Sequence, residues 1–506
     1  MAINLISSII VFMVSMGINF FLTPYILKSL GNEAFGFVGL SNAIVSYAAV
    51  ITVAINSVSG RFVAYEWHKG NLERANSYYS SVLAVNFIFA LFVVVASGIF
   101  ILNLDVILNV PSHLKTDVTL TFVFYFINFC VGLFNGVITV CAFVRNKLYL
   151  LSIRNAISSA ILATLIVLLF YLFSAMITYI AISALISSIF VLLSTIYMSK
   201  RITPELKFDL KIFDFNKIKE LLSSGVWNSF NALNRILLTG MDLFICNIFI
   251  NAWMTGILAT AKAAPIILES FVAQLSSIFS PKFVEFYSKG NILALINEAK
   301  FSMRTVAFIM SAPAAFFVVF GRDFYSLWLP FKSADEITLI YNLSMITLVP
   351  IVFISYLFSL FGIDSATNKL RRPAIANTIL GVSTILAQIC IVKFSDYGIY
   401  GIAIVGAGFY CIRILFFDLI NAALNLDVKL TTFYGVYLRN LALFVFVCMI
   451  YYAISRLVSI QSWIDLAFAL VALLAFGYII NLFLIFNKFE QRILMNKILA
   501  KFKRNL

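Results

Sequence analysis

The sequence predicts an all-α polytopic membrane protein with about 14 transmembrane helices. Of its 506 residues, 62% are hydrophobic and only 11% are charged, whereas a soluble domain carries roughly 25% charged residues. Long apolar runs recur along the whole chain, and a hydrocarbon core about 30 Å thick requires roughly 20 such residues in a helix. The net charge of +14 comes from cations between these runs rather than from one basic face, which argues against nucleic-acid binding.

Fourteen apolar runs are long enough to cross a bilayer. They lie at residues 3–27, 35–59, 79–103, 118–143, 151–172, 175–198, 222–250, 254–280, 300–325, 337–363, 373–393, 400–424, 437–458 and 462–487. The predicted division is an N-lobe of helices 1–6 (1–200), a cytoplasmic linker (201–221), a C-lobe of helices 7–12 (222–424), and helices 13 and 14 with a basic tail (425–506). The external loops are short, and none could hold a soluble catalytic domain, so we do not expect an enzyme.

The distribution of cations predicts the orientation. Of the 36 lysines and arginines, 27 lie on the side that holds both termini, six lie on the other side and three lie inside spans. Loops rich in lysine and arginine stay in the cytoplasm. The sequence therefore predicts a protein of the bacterial cytoplasmic membrane with both termini in the cytoplasm.

An internal repeat relates the two predicted lobes. Lys69-Gly70-Asn71 recurs as Lys289-Gly290-Asn291, and Gly36 and Gly256 have the same spacing of 220 residues. Because six helices separate the two copies, both have the same orientation in the membrane. The repeat axis is expected to lie along the membrane normal, as in transporters built from two parallel halves.

Helix seven carries an unusual set of polar side chains. Asn228, Asn231 and Arg235 are three and four residues apart, and Asp242 follows seven residues later, so all four are predicted to share one face. An ionisable group inside a span usually faces a cavity or a partner. Arg235 is therefore a candidate cavity cation, with Asp242 as a counter-ion or gating group. The alternative interpretation is internal neutralisation, with acid–base pairs that hold neighbouring helices together.

Other intramembrane polar residues extend the predicted site. Lys262 and Glu269 in helix eight are seven residues apart, and the same two interpretations apply, with Lys262 as a cavity cation and Glu269 as a counter-ion. Arg413 in helix twelve is a further cleft candidate. Asn19 and Asn42 are included because helices one and two correspond to helices seven and eight in the repeat. Asparagines in spans are, however, more often helix–helix hydrogen bonders than ligands.

Neither metal nor cofactor chemistry is indicated. The six cysteines lie in apolar stretches without a C-x-x-C pair, and the two histidines have no clustered carboxylate. The G-x-x-x-x-G-K-[ST] motif of ATP-driven proteins does not occur, nor do the G-x-S-x-G and H-E-x-x-H motifs of hydrolases. We expect no cofactor, no metal and no catalytic residues.

Two regions resemble a known family. The stretch 30–36, Leu-Gly-Asn-Glu-Ala-Phe-Gly, and the stretch from Gly256 to Asn291 resemble polysaccharide flippases of the O-antigen type. These belong to the multidrug/oligosaccharidyl-lipid/polysaccharide exporter superfamily. The resemblance implies two six-helix lobes around a central cleft that opens alternately to each side of the membrane. Lys262 matches a cation position that lipid II flippases have in helix eight.

The departures from that resemblance narrow the expected cargo. Lipid II flippases carry arginines in helix one, whereas helix one of this chain has none, which argues against lipid II as the cargo. Multidrug exporters of the superfamily commonly use a carboxylate in helix one for cation coupling. This chain has no carboxylate before Glu33, which argues against that class of exporter. The leading hypothesis is a flippase for an undecaprenyl-diphosphate-linked oligosaccharide. Its expected partners are the polyprenyl-diphosphate-linked glycan and membrane lipid, with polysaccharide polymerase or assembly proteins as further potential partners. The alternative is a small-molecule or multidrug antiporter, and a membrane glycan polymerase or ligase is a third class.

Overall fold

The computed structural model describes residues 2–486 and 491, and every regular element in that part of the chain is helical. The α-helices are α1 Ala2–His68, α2 Leu72–Leu102, α3 Leu104–Ile107, α4 Lys115–Ile138, α5 Val140–Val144, α6 Leu148–Leu172, α7 Ile177–Ile202, α8 Phe215–Arg235, α9 Asp242–Phe249, α10 Ala252–Ser277, α11 Ser280–Ser288, α12 Ile292–Trp328, α13 Ala334–Ser355, α14 Phe361–Thr367, α15 Arg371–Phe394, α16 Gly398–Arg413, α17 Leu419–Asn425, α18 Tyr434–Ser455 and α19 Trp463–Ile485. Cations of the predicted basic tail, Lys488, Arg492, Lys497, Lys501, Lys503 and Arg504, lie outside the described residues.

The number of membrane spans agrees with the sequence prediction. Within the described residues, 12 helices are long and apolar enough to cross a membrane, and 13 if the bent pair Phe215–Leu238 and Asp242–Phe249 is one span. Helix α1 has 67 residues, about 100 Å of helix and far more than one bilayer requires. Gly31 interrupts it with φ 78° and ψ 177°, between the first two predicted spans. The predicted all-α fold with about 14 spans is confirmed.

The surfaces of these helices are those of a multi-pass membrane protein. On α2, the large apolar side chains of Phe87, Leu91, Val95 and Ile99 are 63%, 60%, 59% and 61% exposed. They recur at helical spacing and therefore form one continuous apolar stripe. A stripe of this kind is stable against lipid and would be unfavourable in water.

The predicted repeat is visible in the backbone of its two loops. Gly70 and Gly290 both adopt positive φ, 78° and 67°, a conformation that favours glycine. Asn71 and Asn291 then begin α2 and α12 with nearly identical dihedrals, φ −88° and ψ 74° against φ −88° and ψ 72°. Each asparagine side chain accepts a hydrogen bond from the backbone N–H three residues later, at 3.1 and 3.0 Å. The sequence repeat is therefore also a repeat of local structure.

The chain packs into two compact units. Unit 1 comprises Met1–Ala259 and Gly381–Ile402, and unit 2 comprises Thr260–Leu380 and Ala403–Leu506. In unit 1, α4 packs against α7, and α1 packs against α2, α6 and α8. In unit 2, α12 packs against α13, α18 and α19. Unit 1 thus contains predicted span seven and most of span eleven in addition to the first six.

The predicted cytoplasmic linker is bound along α2 over residues 203–214. The amide of Asn76 donates to the backbone oxygen of Glu205 at 3.0 Å and accepts from the N–H of Lys207 at 2.8 Å. Three serines on α2 bind the same segment in a similar way, Ser77 at Ile212, Ser80 at Lys207 and Asp209, and Ser81 at Asp214. The segment has little secondary structure of its own, and α2 supplies the hydrogen bonds that its backbone needs.

Candidate functional site

Helix α8 is held closely against the second half of α1. The amide of Asn228 donates to the Ser57 hydroxyl at 3.0 Å. One turn earlier, a Cβ atom on Gly225 would lie 1.7 Å from the backbone oxygen of Ala54. Only glycine permits this approach of the two backbones. Asn228, predicted as a cargo residue, therefore also contributes to the α1–α8 packing.

Arg235 is the last residue of α8 and is exposed. The next five residues, Ile236–Gly240, form a π-helical turn before α9 begins at Asp242. A π turn inserts a residue into the helical repeat, so the following residues are rotated by about 100° relative to an ideal α-helix. The prediction that Asp242 shares one face with Asn228, Asn231 and Arg235 is therefore wrong, because the ideal spacing does not continue through the turn. Asn231 is half-buried and Asp242 is buried.

Asp242 belongs to a buried polar cluster within unit 1. Its Oδ1 atom accepts a hydrogen bond from Gln388 Nε2 at 2.9 Å, and the same nitrogen lies 3.0 Å from the backbone oxygen of Ile402. Asp242 is 8% exposed and Gln388 is fully buried. Sequence reasoning missed Gln388. Its one signal was an uncharged polar residue in the middle of an apolar span.

The other predicted residues differ in exposure. Lys262 and Glu269 are both half-buried in α10, on either side of Pro265. Asn19 and Asn42 are exposed on α1. The Asn42 amide donates to the backbone oxygen one turn earlier at 3.0 Å, so it satisfies part of its hydrogen-bonding capacity within its own helix.

Arg413 lies inside unit 2 beside a carboxylate. Its Nε atom is 3.2 Å from Asp418 Oδ2, and the two side chains are 12% and 4% exposed. The guanidinium also lies 5.6 Å from the ring centroid of Phe361 and 5.4 Å from that of Tyr410. Asp418 offsets the charge of Arg413, which leaves less of it for an anionic ligand.

Arg154 has an environment that the sequence did not predict. It lies near the start of the predicted span 151–172, and it is only 7% exposed. Its guanidinium donates to the amide oxygens of Asn135 at 3.3 Å and Asn155 at 2.9 Å, and to the Thr195 hydroxyl. These acceptors are uncharged, so they satisfy its N–H groups without neutralising its charge.

No protein-family model matches this chain. Its fold is that of the transporters of the MOP superfamily, which are multi-span membrane proteins. It is similar to the lipid II flippase MurJ in an inward closed conformation, with a TM-score of 0.67 and 13% identity over 93% of this chain and 98% of that one. It is also similar to an inward-facing multidrug resistance MATE family transporter, with a TM-score of 0.62 and 12% identity over 82% of this chain and 94% of that one.

Two further similarities bear on the chain. A MOP superfamily transporter from Pyrococcus furiosus, whose binding pocket is described as having reverse polarity, gives a TM-score of 0.61 at 13% identity, over 84% of this chain and 95% of that one. In sequence, the chain is 29% identical over 509 residues to EpsK, an uncharacterized membrane protein of Bacillus subtilis (strain 168). That alignment covers 99% of this chain and 98% of EpsK.

Proposed function

We propose that this protein is a flippase that moves an undecaprenyl-diphosphate-linked oligosaccharide from the cytoplasmic to the outer leaflet by alternating access. The observation that carries the proposal is the exposure of Arg235 midway along a bent hydrophobic span. An arginine at the centre of a membrane helix costs roughly 2.5–3.5 kcal/mol on insertion scales, so it normally faces a hydrated route or an anionic partner.

A diphosphate-linked cargo suits this chemistry. Guanidinium and ammonium groups bind phosphate oxygens through charge-assisted hydrogen bonds, and Arg235 and the half-buried Lys262 each offer one cation. A cytoplasm-negative potential favours outward movement of an anion by about 2.3 kcal/mol per charge per 100 mV. The polyprenyl tail would remain in lipid while the sugar crosses.

The proposed architecture follows the predicted division of the chain. Residues 1–200 and 222–424 act as the two moving lobes, 201–221 connect them, and helices 13 and 14 follow the second lobe. The protein resides in the cytoplasmic membrane of a bacterium with both termini inside, and it works with polysaccharide polymerase or assembly proteins. The fold shared with the lipid II flippase MurJ, over 93% of this chain, supports this assignment. The resemblance of 30–36 and of Gly256 to Asn291 to O-antigen flippases supports it further.

The test measures the distribution of lipid-linked glycan between the two leaflets in the native cell. The variants are Arg235→Ala, Lys262→Ala and Lys262→Arg, at matched expression in the membrane. Lys28→Ala is the matched control, since Lys28 is exposed and lies at the predicted external end of the first span. We expect both cleft alanine variants to accumulate glycan on the cytoplasmic side, whereas Lys262→Arg and Lys28→Ala transport normally.

Two outcomes would count against the flippase. Deletion of the whole gene that leaves surface glycan and its lipid carrier unchanged would refute it. Uptake of small hydrophobic cations into vesicles, driven by an ion gradient and dependent on this protein, would instead favour the antiporter. A route that contains Arg235 and Lys262 should repel such cations, so we expect no such uptake.

A further inference from the structure

We propose that residues 203–219, here called the interfacial segment, bind the headgroups of anionic phospholipids on the predicted cytoplasmic side of the membrane. The segment follows α7, includes the first turn of α8 and belongs to unit 1. It is already fixed to the start of α2 by the hydrogen bonds described above. The inference goes beyond the proposed transport function and does not depend on the identity of the cargo.

The interfacial segment has an inner and an outer side. The side chains of Leu206 and Ile218 are buried in one apolar core of unit 1. Phe208, Leu210 and Phe215, in contrast, are each more than half exposed. Large apolar side chains that are exposed close together usually mark a surface that binds a protein or a membrane.

The position of the segment on α2 favours lipid as the partner. Ser80 and Ser81 hydrogen-bond to the segment, and Phe87 and Ile88 follow them after seven residues each. Residues seven apart lie on one helical face, about 10 Å along the axis. Phe87 and Ile88 are exposed, and Phe87 belongs to the apolar stripe of α2. The segment therefore covers the cytoplasmic end of the same α2 face that contacts lipid further along the helix.

The outer side of the segment also carries positive charge. Lys207, Lys211 and Lys219 are exposed, and within the described part of the chain none of the three forms an ion pair. The Lys219 ammonium lies 5.3 Å from the ring centroid of Phe215, so a cation and an exposed aromatic ring are adjacent. Exposed aromatic residues interspersed with lysines are typical of segments that lie in the membrane interface.

The acidic side chains of the segment are engaged within the protein. Glu205 pairs with Arg145 at 3.3 Å. Asp209 and Asp214 each accept a hydrogen bond from the backbone N–H two residues later, at 2.9 and 2.8 Å. These contacts hold the carboxylates close to the backbone, whereas the long stem of a lysine can extend its ammonium group to a phosphate.

Charge complementarity distinguishes the proposed ligand from other partners. Lysines close to a membrane surface are attracted to lipids with a net negative charge, whereas a zwitterionic headgroup has no net charge to offer. A soluble acidic protein could pair with the three lysines. It could not, however, cover apolar side chains that lie beside a lipid-facing helix.

The test measures how strongly brominated lipids quench a tryptophan at position 208. The purified full-length variant Phe208→Trp is placed in nanodiscs that always contain phosphatidylcholine and phosphatidylglycerol in the same proportion. The bromines are carried either by phosphatidylglycerol or by an equal number of phosphatidylcholine molecules. The five natural tryptophans are common to the wild type and the variant, so the difference between the two proteins reports position 208.

We expect brominated phosphatidylglycerol to quench this tryptophan about twofold more than brominated phosphatidylcholine does. High salt should remove the difference, because it screens exposed charges. Phe215→Trp is a second reporter and should behave in the same way. A single symmetric peak in size-exclusion chromatography establishes that each variant is folded.

The charge variant combines Lys207→Gln, Lys211→Gln and Lys219→Gln with the tryptophan reporter, and it should be quenched equally by the two lipids. Its matched control combines Arg371→Gln, Arg372→Gln and Lys429→Gln, which neutralise three exposed cations of unit 2. This control should keep the preference for phosphatidylglycerol.

Three outcomes would overturn the proposal. Absence of quenching by either lipid would show that the segment faces water and would favour a soluble partner. Equal quenching by the two lipids when all three lysines are present would show contact with lipid without recognition of its charge. Loss of the preference in the unit 2 control would assign it to the net charge of the protein rather than to this segment.

Discussion

Gly36 and Gly256, which hold equivalent positions in the internal repeat, lie directly against each other. A Cβ atom on Gly36 would be 2.7 Å from the backbone nitrogen of Gly256, and one on Gly256 would be 1.9 Å from the backbone oxygen of Asn32. The start of α10 and the second half of α1 therefore approach as closely as two backbones can. The sequence shows that these glycines are 220 residues apart, and the fold brings them into contact.

This contact predicts a strong effect of one methyl group. Gly256→Ala must displace backbone atoms, so we expect a loss of about 1–3 kcal/mol of stability or more, as for other overpacked sites. The measurement is the midpoint of thermal unfolding in detergent. Gly98→Ala is the control, because no atom of the described residues lies within 4 Å of a Cβ atom there. Equal midpoints for the two variants would show that the contact is not maintained.

The linker bound to α2 predicts a change in protease sensitivity. Asn76→Leu removes two hydrogen bonds to residues 205 and 207, and the segment 203–214 should then open locally without global unfolding. Lys207 and Lys211 provide tryptic sites in that segment. We expect much faster cleavage there in native membranes.

The matching control is Ser97→Ala, since the Ser97 hydroxyl donates to a backbone oxygen of its own helix and its loss should leave cleavage slow. Rapid cleavage of the wild-type protein would contradict the prediction, since a bound segment should resist the protease.

Much of the fold could be predicted because the bilayer imposes length and polarity on every span. The break at Gly31 was predictable in this sense, since two apolar runs on either side each meet the required length. The π turn at Ile236–Gly240 was not, because its residues continue the apolar pattern of an ordinary helix. The failure of the single-face prediction for Asp242 follows directly from that turn.

The polar clusters were hard to predict for a different reason. Asp242 and Gln388 are 146 positions apart, and Asp364 and Asn425 are 61 apart. Each partner alone is a single polar residue in or beside an apolar run, and no local spacing relates the two. Arg235 and Lys262 could be found because a charge within a span is rare, whereas a buried amide in a span is common.

Asp117 predicts a second large effect on stability. Its carboxylate accepts hydrogen bonds from the backbone N–H groups of Ile177 and Thr178, both at 2.8 Å, at the start of α7. Asp117→Ala leaves two buried donors unsatisfied, at roughly 1–3 kcal/mol each, so we expect a loss of about 2–6 kcal/mol in unfolding assays. Asp105→Ala is the control, because Asp105 is half-exposed and pairs with Lys115 at the surface. Equal losses in the two variants would refute this capping role.

Asp364 predicts how stability depends on pH. It lies in α14, outside the spans α13 and α15, and burial raises its pKa from 3.8 to about 7, against the opposing effect of the hydrogen bonds from Asn425 and Asn421. The folded protein then binds more protons than the unfolded chain between these two pKa values. Stability contributed by protonated Asp364 is therefore present below pH 4 and is lost as the pH rises towards about 7.

The contribution of Asp364 to this pH dependence can be isolated by comparing the wild type with the variant Asp364→Asn. The unfolding midpoint of the wild type relative to Asp364→Asn should fall between about pH 4 and pH 7 and then level off. Parallel curves for the two proteins would show that Asp364 does not titrate in this range.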